Sequence, residues 1–183
     1  MGDDPATLRL ATLEEAEPID ALMKASTRDL FAMFYDAERT ASSIRFIASV
    51  NRMLIEDGTY FVVEAERQLV ACGGWSRRDK LYTGSGEAVG EATILDPETE
   101  PARVRAMFVR ADWTRRGLGT RILEACETAA RAEGYRTLAL MATLPEPLYE
   151  RYGFREVERV DITMPDGCTL PCVAMTKPII DPR

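Results

Sequence analysis

The stretch from Ala102 to Ala142 limits the folds open to this chain more than any other. Ala102 to Val109 reads as a strand, with Val104, Ala106 and Phe108 facing one way and Arg105, Met107 and Val109 the other. A basic, glycine-punctuated turn follows, and a helix from about Gly117 to Glu133 carries Leu118, Ile122, Cys126 and Ala129 on one stripe. Gly134 stops that helix, and Thr137 to Ala142 is a second, nearly continuous apolar strand. A strand, helix and strand of this length form a crossover unit, so the two strands should lie parallel in one sheet. The turn aims backbone N–H groups and a helix N-terminus at one spot, which suits an anion such as phosphate.

The rest of the chain reads as strands that return on themselves, with helices between. Leu8 to Ala11 alternates as a short strand, and Thr12 can cap a helix whose Ala16, Ile19, Leu22 and Met23 share a face. Asp29 to Thr40 is less regular. The spacing of Ile44, Ile47, Val50 and Leu54 predicts a second helix from Ser42 to Ile55, ended by Asp57-Gly58. Thr59 to Glu64 and Gln68 to Trp75 form an antiparallel pair around Ala65-Glu66-Arg67. Arg77 to Pro101 reads as a long inserted loop holding Gly84, Gly86, Gly90 and Pro97. Pro145 to Tyr152 is a short helix stopped by Gly153, and Val157 to Met164 pairs with Leu170 to Lys177 around Pro165-Asp166-Gly167. No internal repeat or linker divides the chain, so one domain over residues 1–183 is expected.

Composition removes several function classes. A net charge of −7 argues against nucleic acid as the main partner, because phosphate backbones need clustered Lys and Arg. No apolar run approaches the ~20 residues that span a bilayer, so no membrane partner is expected. The acidic start Met1-Gly2-Asp3-Asp4-Pro5 is no secretory signal, and a cytoplasmic location is the default. The chain has no histidine, which excludes a Ser-His-Asp triad, a Cys-His dyad and a His-ligated zinc site. Cys72 and Cys126 lie in apolar patterns, and Cys168 and Cys172 flank Thr169-Leu170-Pro171 near a hairpin, with no second pair nearby in sequence. All read as reduced thiols, and no metal site is expected.

Three phosphate-binding motifs compete for the glycine turn. A P-loop needs Gly-Lys-Ser/Thr at the helix start, but Gly119 is followed by Thr120 and Arg121. A dinucleotide fingerprint needs a third glycine where this chain has Ile122. The turn Thr114-Arg115-Arg116-Gly117-Leu118-Gly119 resembles the Arg/Gln-x-x-Gly-x-Gly/Ala motif of the GNAT superfamily of N-acetyltransferases, with Thr114 departing from the first position. Leu148-Tyr149-Glu150-Arg151-Tyr152-Gly153-Phe154 looks like that family's other signature, a tyrosine helix ending in Gly-Phe. The order of elements agrees from Leu8 to Lys177, and the loop before Ala102 is longer than the family's usual connection.

The resemblance implies an α/β (α+β) fold. Its mixed, mostly antiparallel sheet would have about seven strands, with a central parallel pair splayed into an acyl-CoA cleft and helices on both faces. It implies acetyl-CoA, or another acyl-CoA, as co-substrate. Backbone groups of Met107, Phe108 and Val109 would pair with the pantetheine arm. N–H groups around Thr114, Arg115, Arg116, Gly117, Leu118, Gly119 and Thr120 would hold the pyrophosphate, and Tyr149 would be the general acid, with Tyr152 its rival. The reaction implied is transfer of the acyl group to a small-molecule amine by direct attack. Glu64 and Glu91 are candidate bases, while a route through Cys72 lacks a histidine to activate it. Phe31, Phe34, Tyr35, Trp75 and the Arg77–Pro101 loop are candidates for the acceptor wall. The alternatives are a catalytically silent acyl-CoA sensor or interaction protein of the same fold, and a different phosphate-ligand enzyme. The acceptor, the acyl length and the oligomeric state, a homodimer included, stay open.

Overall fold

Seven strands share one sheet in the order β1-β2-β3-β4-β5-β7-β6, in a computed structural model that describes residues 5–80, 92–143 and 147–180. They are β1 (Thr7–Leu10), β2 (Tyr60–Ala65), β3 (Gln68–Ser76), β4 (Ala102–Val109), β5 (Thr137–Thr143), β6 (Arg155–Thr163) and β7 (Thr169–Pro178). Neighbours are antiparallel except β4 and β5, which run parallel across the expected crossover. The sheet is therefore the mixed, mostly antiparallel one that the resemblance implies.

Helices cover both faces. On one, α4 (Leu118–Ala132) buries Leu118, Ile122, Leu123 and Cys126 against Val63, Val104, Leu138, Leu140 and Met175. On the other, α1 (Ala16–Phe31) sets Ile19 and Met23 against Val62, Cys72 and Phe108. Each fully buried aliphatic side chain stabilises the fold by roughly 1.5–3 kcal/mol relative to an exposed one, so these two apolar stripes hold the layers together.

The helix expected from Ser42 to Ile55 is instead two. Asp36 caps α2 (Ala37–Phe46) by accepting from the Arg39 N–H at 2.8 Å, and Asn51 caps α3 (Arg52–Glu56) through the Met53 N–H at 3.0 Å. Between them the Val50 N–H donates to Asp20 Oδ1 at 3.1 Å. Side chains thus take N–H groups that a continuous helix would need, and this outweighs an apolar spacing of helical period. A further short helix, α5 (Pro147–Tyr152), precedes β6; Pro145, expected near its start, lies outside the described residues. The long loop is pinned at its described ends. Arg78 bridges to Ile94, and Leu95 is buried with its carbonyl accepting from Tyr135 Oη at 3.0 Å. Gly84, Gly86, Gly90 and Glu91 lie outside the described residues.

Strand β4 departs from the strict alternation expected of it. Cys72 pairs with Phe108 and Gly74 with Arg105, so Gly73 stands opposite both Ala106 and Met107. This β-bulge puts Ala106 at φ 52°, in the left-handed region. It also inverts the facing: Val104 and Met107 lie on the α4 side, and Ala106 and Phe108 on the α1 side. Val104 and Phe108 were expected on one face and lie on opposite ones, because one extra residue shifts a period-two pattern by half a period. The bulge is held from both sides. Tyr60 Oη donates to the Ala106 carbonyl at 2.7 Å, and Gly73, lacking a Cβ, makes room for the Met107 thioether.

Two substitutions probe this framework. Gly74 packs so closely that a Cβ would overlap the Thr59 carbonyl oxygen and stand 2.7 Å from Tyr60 Cδ2. Gly74→Ala should cost about 2–3 kcal/mol in a denaturant titration, because backbone must move to relieve the overlap. Glu66 (φ 51°) and Arg67 (φ 60°) form the left-handed two-residue turn between β2 and β3 without a glycine. Arg67→Gly should raise stability by about 1 kcal/mol in the same titration, since a left-handed residue with a Cβ is strained.

Candidate active site

The turn before α4 presents an unbroken run of backbone donors. The N–H groups of Arg115 through Thr120 take no hydrogen-bond acceptor among the described residues, and the first helical bond runs from the Arg121 N–H to the Gly117 carbonyl at 3.1 Å. Arg115 (φ 61°) and Gly117 (φ 75°) are both left-handed, which curls the turn so that its donors converge ahead of the helix. A Cβ at Gly117 would meet nothing within 4 Å, so this side of the turn is open. Gly119 differs: a Cβ there would stand 2.6 Å from Leu148 Cδ2, so its smallness seats α5 against the start of α4. Thr114 Oγ1 donates to the Ala111 carbonyl at 2.9 Å and closes the turn of 3-10 helix at Ala111–Trp113. The Arg116 guanidinium lies 4.2 Å from the Trp113 ring centroid, whereas Arg115 is exposed and makes no ion pair among the described residues. Leu118 is buried in the core beneath the turn and Thr120 is half-buried on the first turn of α4.

The cleft beside this turn comes from the parting of two strands. β4 and β5 are in register at Ala102 with Leu138 and at Arg103 with Ala139, and no further pairing joins them among the described residues. Beyond that point lies a cavity of about 120 Å³, lined by Phe31, Ala106, Met107, Phe108, Leu140 and Tyr149 among others. Met107 and Phe108 therefore share the cavity with Tyr149. The Val109 carbonyl already accepts from Ser26 Oγ of α1 at 2.7 Å, a contact that no sequence signal points to.

The two tyrosines of α5 are used differently. Tyr149 Oη has no hydrogen-bond partner among the described residues, and its ring meets Phe154 edge-on at 6.1 Å. Burial, with a smaller contribution from the nearby Cys126 thiol, pushes the Tyr149 phenol up to about 12. Tyr152 Oη instead donates to Glu127 Oε2 at 2.8 Å, which also accepts from Lys177 Nζ at 2.6 Å. Burial disfavours the Glu127 carboxylate, but these donors outweigh it and hold its carboxyl below the usual range.

The other expected residues are dispersed. Glu64 is tied to Arg9 at 2.8 Å, in a cluster with Glu15, and so is committed to an ion pair away from the cleft. Trp75 does not belong to an acceptor wall. It is buried on the α4 side, edge-on to Tyr135 at 5.8 Å, with Arg77 over its ring. Tyr35 is buried and donates to the Pro171 carbonyl at 3.0 Å, while Phe34 is half-exposed. Cys72 is buried and its thiol is pushed up to about 12 by burial, the reverse of what a nucleophile needs.

A second cavity, of about 510 Å³, adjoins the first and shares Val104, Arg105, Ala106, Leu140 and Met141 with it. Arg103 and Arg105 lie in its floor, with Asp79 at one side. Their appearance at alternate positions of an otherwise apolar strand was the available signal for a charged patch on one face.

Comparison with known proteins agrees with this geometry. Residues 56–156 match the model of the acetyltransferase (GNAT) domain. The chain is 30% identical over 125 residues, 68% of its length and 72% of the relative's, to an uncharacterized N-acetyltransferase from the hisH-hisA intergenic region of Azospirillum brasilense. Among solved structures, a GCN5-related N-acetyltransferase of Rhodopseudomonas palustris superposes with a TM-score of 0.71 at 19% identity, over 97% of this chain and 98% of that one. The PaiA N-acetyltransferase of Thermoplasma acidophilum, solved with coenzyme A, gives 0.66 at 15% identity over 95% and 99%. The yncA protein of Salmonella typhimurium, solved with acetyl-CoA, gives 0.62 at 14% identity over 98% and 96%. With its sheet, its glycine turn and more than half its length matched by the family's model, this chain belongs to the GNAT family of acetyltransferases.

Proposed function

We propose that this chain transfers an acetyl group, or another acyl group, from acyl-CoA to a primary amine by direct attack. The observations that support the reading are the splay of β4 and β5 with Tyr149 in its wall, and the run of N–H groups from Arg115 to Thr120, without acceptors among the described residues, at the start of the helix on which Leu148 of α5 packs. The residues present fit acyl-CoA. The donors of Arg115 to Thr120 would bind its pyrophosphate, with Arg115 adding charge and Gly117 leaving the approach clear. The unpaired edge of β4 at Met107 and Phe108 would hold the pantetheine arm, and the ordered Ser26–Val109 contact would limit how far that pairing extends. Acyl-CoA supplies the activated thioester.

The chain's own groups then position and protonate. Met107, Phe108 and Leu140 give this cavity one apolar side, which would limit the water around the reacting carbon. An alkyl amine must arrive neutral, since its protonated form has no lone pair. Its nitrogen forms the new C–N bond as the C–S bond breaks; the amine gives up one proton to water, and Tyr149 gives one to the leaving sulfur and is re-protonated from solvent. Tyr149 suits this role because its hydroxyl is uncommitted, whereas Tyr152 is held by Glu127. Cys72 plays no part, because its thiol is buried and protonated. Nothing here depends on a second chain or on nucleic acid, and the expected acceptor is a small molecule.

The reading is tested by thiol release from acetyl-CoA with a panel of amines. Tyr149→Phe should lower kcat by about 100-fold or more while leaving the KM for acetyl-CoA within a factor of about two. Unchanged turnover would remove Tyr149 from the mechanism. Because burial raises the Tyr149 pKa to about 12, the acid stays protonated through the neutral range. The rate should therefore rise with pH as the amine deprotonates and show no falling limb below about pH 10. Acetyl-CoA should raise the melting temperature, by about 2.7 kcal/mol of stabilisation at 100 times its Kd, while ATP and NAD do not. Such binding without thiol release from any amine would indicate a sensor in place of an enzyme.

A further inference from the structure

We infer that Arg103 and Arg105 form an anion-binding floor for the acceptor, so that the amine this chain acylates carries an anionic group, a carboxylate in a free amino acid. The inference rests on the acyl-transfer reading and names the substrate class of that same site. It starts from two cations that the fold leaves unsatisfied. Arg103 and Arg105 alternate on one face of β4, and the Nε atoms of both are buried without a hydrogen-bond partner among the described residues. Neither guanidinium has a carboxylate within ion-pair distance among the described residues. The contact Arg105 makes is long, from Nη2 to the Asp79 carbonyl at 3.4 Å. The Asp79 carboxylate is turned to the Thr93 N–H at 2.8 Å.

Desolvated charges of one sign set side by side are costly, and a fold keeps them where something else supplies the opposite charge. The Arg105 guanidinium carries the mark of this: burial first, then the neighbouring Arg103, lowers its pKa from the usual value. A carboxylate answers both forks, since guanidinium groups bind it through paired, charge-assisted hydrogen bonds.

The cavity sets the size and direction of the ligand. Its volume of about 510 Å³ is that of a small-molecule site, not of a groove for a folded protein surface. It continues into the Tyr149 cavity through Arg105, Ala106 and Leu140. An α-amino acid whose carboxylate rests on the two arginines therefore has its nitrogen within a bond or two of that carboxylate, next to the Ala106 bulge where the cavities join. Ala139, Ala174 and Val157 also line it and offer small, apolar walls for a side chain.

The test is thiol release from acetyl-CoA with α-amino acids, their carboxamides, the matching aminoalkylphosphonates and the decarboxylated amines, together with calorimetric titration of each into the acetyl-CoA-free protein. The expected result is a kcat/KM for the amino acids at least about 30-fold above that of their carboxamides. In Arg105→Gln that ratio should fall to near one, and in Arg105→Lys, which keeps the charge but loses the fork, it should fall part of the way. Arg103→Gln should act in the same direction. Arg105→Gln removes a half-buried cation that has no ion-pair partner among the described residues, so its melting temperature should match or exceed that of the native chain. Phosphonates preferred over carboxylates would keep the anion floor and change the anion. Acetylation of carboxamides and simple amines as readily as of amino acids would overturn the inference and leave acyl transfer standing. Acetylation of no amine, in a protein that binds the amino acids through Arg105, would overturn acyl transfer and leave the anion floor standing.

Discussion

The parting of β4 from β5 is the constraint on which the rest of this structure depends. Parallel strands joined by a helix would ordinarily stay hydrogen-bonded along their shared length, because an unpaired backbone edge inside a protein is costly. Here the register ends after Arg103 and Ala139, and the two strands separate over the turn that starts α4. The separation opens a cleft through the middle of the sheet, not on its surface. The cavity there has β4 on one side and Tyr149 in its wall, and Leu148, next to Tyr149, packs on Gly119 at the start of α4.

The bulge at Ala106 and Met107 makes that separation tolerable. An extra residue in β4 increases local twist and turns the strand away from its neighbour. The cost of a left-handed alanine is offset by specific contacts: Tyr60 holds the Ala106 carbonyl, Ser26 holds the Val109 carbonyl, and Gly73 admits the Met107 side chain. These groups lie on β2, α1 and β3, so three elements anchor one irregular strand. The irregularity also distributes the strand's side chains. Arg103 and Arg105 come before the bulge on the face of the larger cavity, and Met107 comes after it among the apolar groups of the α4 side. One strand thus carries a charged and an apolar lining within a few residues of each other.

Much of the fold was legible because it follows from local periodicity. The crossover from Ala102 to Ala142, the antiparallel pair around Glu66-Arg67 and the final hairpin are each written in short apolar runs and turn residues. The failures have local causes too. Ser42 to Ile55 has a helical apolar spacing, yet Asn51 and Asp20 claim backbone donors within it, and the helix breaks. The alternation of β4 fails at a single inserted residue, and nothing at Ala106 announces a positive φ. The expected acceptor wall was the least legible part. Trp75 stands between Gly74 and Ser76, neighbours that do not say which face it takes, and the packing sends it to the α4 side against Tyr135.

The sequence by itself determined the crossover, the hairpins and the glycine turn, since each needs only residues close together in the chain: apolar period, helix stops and a run of donors before a helix. It also determined which chemistries were excluded, through the absence of histidine and of a P-loop lysine. Only the tertiary structure decided which tyrosine of α5 keeps an uncommitted hydroxyl, because that depends on Glu127 and Lys177, which come from α4 and β7. It alone decided that Glu64 is bound to Arg9, and that Arg103 and Arg105 line a cavity with no ion-pair partner among the described residues. Such assignments turn on contacts between distant segments, and the charge of a side chain in sequence does not say which opposite charge the fold will bring to it.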